Sequence, residues 1–310
     1  MRRPKKLKKG DTIKLVAPAS YTNSESLKKG INYLEAKGYN IKLGYSLLHL
    51  SRHWSFSSEA RKRAQEINEG FKNEEIDAMF CVKGGYGSPH LCDKLDYDLI
   101  KANPKIFLGY SDITALHFAL QSQTGLVTFH GPMVATDFGK DIKNYTETMF
   151  NKAVINDEPW TITNPKEGPM VKTLNKGESV GVLLGGNLSL ISNLIGTPYE
   201  PKMEDKILFI EEVNEPIYVI DRYLTHLKLS GVFKEIKGLI FGKSIDCSPK
   251  NNGNPGLEEL ISTFFQDYDI PVLYDLACGH GENMATLPEG VRAKINTSNK
   301  TLKILDSPVI

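Results

Sequence analysis

The chain has 310 residues, enough to bury a large core and, at roughly 150 residues per unit, to form about two domains. Its formal net charge of +1 argues against a general electrostatic grip on nucleic acid. No run approaches the roughly 20 apolar residues that a membrane span needs, so neither nucleic acid nor a membrane is an expected partner.

The basic start, Arg2 to Lys9, has no apolar segment of signal length behind it, because Pro18, Ser20, Asn23 and Ser24 break the nearest candidate. It is expected to be a solvated arm. A β-rich run over 13–17 ends at Pro18, and residues 24–36 carry helical periodicity through Leu27, Ile31 and Leu34 up to Gly38. A short strand follows at 41–43. Ser57 or Ser58 then caps a helix through Ala60, Ala64, Ile67 and Phe71. Residues 76–82 are continuously apolar between turn signals, the pattern of a strand buried on both faces of a parallel sheet. Strands at 106–108 and 127–129 flank a helix over 113–120. This alternation predicts an α/β fold, an open and mostly parallel sheet with flanking helices over 1–137, whose ligands bind beyond the carboxyl ends of the strands. Between 138 and 177, Pro159, Pro165, Gly168, Pro169 and Gly177 interrupt any regular pattern, and the segment reads as a linker. Residues 178–310 then form a mixed α+β domain with its own core. Its strands are expected at 180–184, 207–210, 238–241, 272–274, 291–295 and 302–305, its helices at 188–194, 217–229 and 257–265, and 251–256 is an ordinary loop.

The four cysteines, Cys81, Cys92, Cys247 and Cys278, lack C-x-x-C spacing and read as reduced, mostly buried thiols of a cytoplasmic protein. Cys278 lies two residues before His280, but sequence neighbours rarely make a nucleophile–base geometry, and a small buried hydrophobe is the better reading. The seven histidines form no paired-ligand motif, so neither a metal nor another cofactor is expected.

Three polar positions fall just beyond expected strands. Ser111, in the segment 106–116, sits at the apex of a strand–turn–helix and can project its hydroxyl above the sheet edge, with helix N–H groups nearby for an oxyanion. The segment is not a full G-x-S-x-G, because Ile113 replaces the second glycine, and helix capping by Ser111 or Asp112 is the competing reading. Glu211 and Glu212 follow the apolar run 207–210 and should point to opposite faces. His280 lies between Gly279 and Gly281 after 272–276. A serine, a carboxylate and a histidine are the parts of an acyl-transfer triad, although each alone has an ordinary structural reading. Lys83-Gly84-Gly85-Tyr86-Gly87 lets backbone N–H groups approach an anion but lacks the phosphate-loop ending. Asn187, after Gly185-Gly186, is expected to cap the helix 188–194.

Gly84-Gly85-Tyr86-Gly87, Gly109-Tyr110-Ser111-Asp112-Ile113-Thr114, His130-Gly131-Pro132, Leu184-Gly185-Gly186-Asn187-Leu188, Phe209-Ile210-Glu211-Glu212 and Gly279-His280 occur in this order. Together they resemble the LD-carboxypeptidases, the muramoyl-tetrapeptide carboxypeptidases, from about Lys8 to Ile304. The resemblance implies a cytoplasmic, homodimeric serine peptidase of peptidoglycan recycling, which releases the terminal D-alanine of a murein tetrapeptide. By motif matching, Ser111 is the nucleophile, Glu211 the orienting carboxylate and His280 the base, with the Asp112 and Gly85 N–H groups as oxyanion donors. Lys83 stands where the family often has arginine. The segment from Asp137-Phe138-Gly139 to Trp160 resembles the microcin-immunity branch, which implies an aminoacyl- or peptidyl-adenylate as the alternative substrate. A non-catalytic α/β protein that binds an anion at the Gly85 and Ser111 loops is the reading from another class.

Overall fold

The computed structural model describes residues 1–48, 59–248 and 256–310. The cap assigned to Ser57 or Ser58, and the loop over 251–255, lie outside the described residues. The first strands are β1 (Thr12–Val16), β2 (Asn40–Leu43), β3 (Ala78–Cys81), β4 (Ile106–Gly109) and β5 (Thr128–His130). They are followed by β6 (Trp160–Ile162), β7 (Lys172–Asn175), β8 (Glu178–Asn187), β9 (Lys206–Val213), β10 (Gly238–Ile245), β11 (Val272–Gly279), β12 (Leu287–Glu289), β13 (Arg292–Asn296) and β14 (Thr301–Ile304).

Among the described residues these strands form two sheets. The first has the order β12-β5-β4-β3-β1-β2 and is parallel throughout, except that β12 closes antiparallel on β5. Every residue of β3 and β4 is buried, as strands covered by helices on both faces must be. The Ser24–Ala36 helix starts where the Asn23 side chain accepts the Ser26 N–H at 2.8 Å. The second sheet runs β6-β14-β13-β8-β9-β10-β11-β7, with β8 to β11 parallel and the outer strands antiparallel. Asn187 caps the Leu188–Leu194 helix, as its sequence position requires.

The two sheets share their apolar interior. One buried cluster joins Val16, Phe107 and Leu116 to Leu208, Ile220 and Phe265, and the other joins Phe80, Leu108 and Phe129 to Leu183, Phe209 and Leu302. The chain also returns across the halves, since β12 comes from residues 287–289 yet completes the first sheet.

Two expectations are corrected. The basic start is docked rather than solvated. Arg2 exchanges backbone bonds with Gly125 and Val127, at 2.8 Å each, and the Leu7 N–H donates to the Val154 carbonyl at 2.9 Å. Pro4 and Leu7 supply the buried contacts while Lys5, Lys6, Lys8 and Lys9 stay in water, so a basic arm still has an apolar side. The stretch over 138–177, read as linker, contains the Asn144–Val154 helix as well as β6 and β7. Its helix buries Thr146, Met149, Phe150, Ala153 and Val154, a helical stripe hidden between polar residues and followed by Pro159.

Candidate active site

β4 ends at Gly109, Tyr110 is extended, and Ser111 turns to φ +63° before a single 3₁₀ turn enters the Thr114–Thr124 helix. A left-handed serine is strained by about 1–3 kcal/mol and persists only where its surroundings enforce it. Here they do. The Asp112 carboxylate accepts the Gly87 and Ser88 N–H groups at 3.3 and 2.7 Å, and the Ser88 hydroxyl donates to the Asp112 carbonyl. Burial raises the Asp112 pKa, partly offset by these bonds and by Arg63. Gly84 lies against the serine, since a Cβ there would sit 3.0 Å from Ser111 Cβ and 3.2 Å from its hydroxyl oxygen. The neighbouring Gly85, at φ +105°, is exposed, and its N–H finds no acceptor among the described residues. Beneath this loop the buried Arg63 guanidinium donates to the Pro18 and Gly87 carbonyls. Loops after β1, β3 and β4 therefore converge at the carboxyl edge of the first sheet.

The carboxyl edge of the second sheet faces them. Glu211 and Glu212 lie near the end of β9, and strand alternation sends them to opposite sides. Both are buried, so neither belongs to a solvated strand end. Glu211 Oε2 lies 2.5 Å from His280 Nδ1 and also accepts the His280 backbone N–H at 3.3 Å. Glu212 turns the other way and accepts from Asn187 Nδ2 at 2.7 Å, the Ser189 N–H at 2.9 Å and the Val213 N–H at 2.9 Å. Burial pushes its pKa up to about 7. Gly279 makes the Glu211–His280 pairing possible, because at φ +84° a Cβ would lie 2.5 Å from Glu211 Cβ.

The two edges meet at Tyr110. Its ring packs 5.0 Å from the largely buried His280 ring, which brings the histidine loop against the residue preceding Ser111. Ser111 and His280 are not hydrogen-bonded to each other; the His280 ring is bonded to Glu211. The two halves are further joined where the Asn187 N–H donates to the Thr114 hydroxyl at 3.0 Å. Burial alone would lower the His280 pKa, but Glu211, by charge and hydrogen bond, together with Glu212 and Asp137, outweighs it and raises it above the ordinary imidazole value. A cavity of about 650 Å³, lined by Tyr110, Asp137, Lys140, Thr146, His280 and Met284 among others, opens beside the histidine.

Several supporting residues escape a reading by motif. Arg63 lies on the buried face of the Ala60–Lys72 helix, three residues after Ala60 and four before Ile67, so its place on an apolar stripe was a signal. Asp137 is held up to about 6 by burial, while its carboxylate accepts the Met133 N–H at 2.8 Å. Cys278 is fully buried and burial pushes its thiol pKa far up, so it fills space beside the histidine loop. Among the described residues no group of three or more histidine, cysteine or acidic side chains is placed to hold a metal ion, and no helix is long and apolar enough to cross a membrane.

Two family models match the chain, the LD-carboxypeptidase N-terminal domain over residues 13–131 and the LD-carboxypeptidase C-terminal domain over 180–295. A probable murein peptide carboxypeptidase of Bacillus subtilis is 36% identical over 303 residues, covering 97% of this chain and 94% of the relative. Among solved structures, the microcin C7 self-immunity protein MccF superposes with a TM-score of 0.92 at 29% identity, over 99% of each chain. A muramoyltetrapeptide carboxypeptidase from Oxalobacter formigenes superposes with a TM-score of 0.83 at 29% identity, over 96% of this chain and all (100%) of the other.

Proposed function

The chain belongs to the LD-carboxypeptidase family, and we propose that it is a serine carboxypeptidase that removes the terminal D-alanine of a murein tetrapeptide through Ser111, Glu211 and His280. Ser111 Oγ attacks the carbonyl of the L-configured residue. His280 Nδ1 is engaged by Glu211, which leaves Nε2 to accept the serine proton and return it to the departing amine. Glu211 holds the tautomer and stabilises the imidazolium formed during attack. The Gly85 and Asp112 N–H groups, at a glycine loop and a helix start, receive the developing oxyanion. His280 then takes a proton from water, which attacks the acyl-enzyme carbonyl, and passes it to Ser111 Oγ as the ester bond breaks and the shortened peptide leaves. The enzyme is further read as cytoplasmic from its unpaired cysteines and as a homodimer from the family resemblance, and light scattering tests the dimer.

The observation that carries this reading is the buried carboxylate 2.5 Å from His280 on a loop packed against the Ser111 turn. A second reading, hydrolysis of an aminoacyl or peptidyl adenylate by the same groups, is favoured by the likeness to the microcin self-immunity protein. Incubating the protein with murein tetrapeptide and, separately, with an aminoacyl sulfamoyl adenylate decides between them. D-alanine release supports the first and cleavage of the adenylate alone the second. A serine-reactive phosphonate that fails to label Ser111 would leave only an anion-binding module.

A further inference from the structure

We propose that the segment 138–177 is a clamp that sets the histidine loop, with Thr146 and Asn164 as positioning residues for His280. This rests on His280 being the base. The chain leaves the second sheet at Gly279 and joins the first at Leu287, and the stretch between belongs to neither ladder. Gly279 and Gly281, at φ +84° and +152°, flank His280 with the two most permissive backbone positions available. A loop of this composition has no intrinsic reason to hold one conformation, so its tethers decide where the imidazole sits.

Those tethers are few. The Ala285 N–H donates to the Ala277 carbonyl at 2.6 Å and closes the neck of the loop, and Glu211 holds His280 itself. On the far side, where Met284 and Ala285 are buried, the backbone is bonded by the buried Thr146 hydroxyl. It accepts the Met284 N–H at 2.9 Å and donates, more weakly, to the Glu282 carbonyl at 3.4 Å. The exposed Lys143–Glu282 ion pair at 3.4 Å adds little to this. Asn164 grips the strand that feeds the loop. The β7 ladder along β11 ends at Tyr274, and Asp275, at φ +69°, lies where the register with β10 shifts. At this point Asn164 donates to the Asp275 carbonyl and accepts the Ala277 N–H, at 2.7 Å each, and so replaces the missing strand partner. A third bond, from Asn164 Nδ2 to the Pro169 carbonyl at 2.8 Å, ties the asparagine into its own segment.

The test is Thr146→Val, which keeps shape and removes both bonds, with Thr146→Ser as the conservative partner. The groups facing His280 are Glu211, Glu212 and Asp137, with the Tyr110 and His130 rings beside it. If the clamp operates, Thr146→Val lowers kcat about tenfold or more with KM within about threefold. The acid limb of kcat/KM then moves to lower pH, because a loosened imidazole loses part of the stabilisation Glu211 gives its cation. Thr146→Ser restores both. Should Thr146→Val not fold, Asn164→Leu, which keeps the volume, adds no charge and removes the bonds to Asp275 and Ala277, is read in the same way. Unchanged kcat and limb, or a loss of kcat with an unmoved limb that serine fails to rescue, overturns the proposal. Ser111→Ala and His280→Ala are run alongside. Activity kept in Ser111→Ala removes the nucleophile, activity kept in His280→Ala removes the base and the clamp with it, and activity lost in both but intact in Thr146→Val overturns the clamp alone.

Discussion

Replacing Glu211 by glutamine tests the chemistry at its most exposed point. The side chain keeps its volume and loses its charge, in a position with no solvent access and one oxygen, Oε1, that has no protein partner. In the proposed mechanism the imidazole becomes a cation when Ser111 attacks. At a charge separation of ~4 Å and an effective dielectric constant of ~20, a carboxylate stabilises that cation by about 4 kcal/mol. Since each 1.36 kcal/mol is a factor of ten, kcat should fall by about a thousandfold. Glutamine adds a second fault. Its amide can donate to Nδ1, which moves the ring proton to Nε2 and blocks the nitrogen that must accept from the serine. Ground-state binding should change little, so KM should stay within about threefold. The assay is D-alanine release from a murein tetrapeptide, read beside thermal unfolding. Glu212→Gln is the matched control. It touches Asn187, Ser189 and Val213 rather than the histidine, and should keep kcat within about tenfold. A folded Glu211→Gln protein that retains more than a tenth of wild-type turnover would refute this account, and loss confined to Glu212→Gln would transfer the role to its neighbour.

Ser111→Ala should fold as the wild type does and lose acyl transfer by several orders of magnitude, measured by single-turnover kinetics. Gly279→Ala puts a Cβ 2.5 Å from Glu211 Cβ at a left-handed φ, so it should lower Tm and turnover together, read by calorimetry and by D-alanine release. The proposed base, His280, acts neutral and its pKa is raised, so kcat/KM should climb with pH through an apparent pKa above 6.5, and that limb should drop in Glu211→Gln; a limb at or below 6.5 in the wild type contradicts the pairing. Glu212 is raised from 4.5 to about 7, so its contribution to stability is full below about pH 4.5 and is lost as pH rises through about 7; Tm should therefore fall more between pH 5 and 8 in the wild type than in Glu212→Gln.

Local pattern was enough for some of this molecule. The apolar runs of β3 and β4 and the Ser24–Ala36 helix ending before Gly38 each answer to rules that act over a few residues, steric limits on φ and the burial of apolar faces. The opposite destinations of Glu211 and Glu212 follow from the twofold period of a strand, although the burial of both does not. What no local rule contains is the meeting of distant segments. The His280 loop lies against Tyr110, 170 positions earlier in the chain, because two sheets share their apolar interior and turn their carboxyl edges toward each other. Thr146 and Asn164 sit in a stretch whose prolines and polar residues hid its helix and strands, and their importance lies in backbone groups that they satisfy more than a hundred residues away. The docking of Arg2 beside Leu126 and the return of β12 to the first sheet are of the same kind. Periodicity reports which face of an element is apolar, and the partner that covers that face is chosen by packing the whole chain at once.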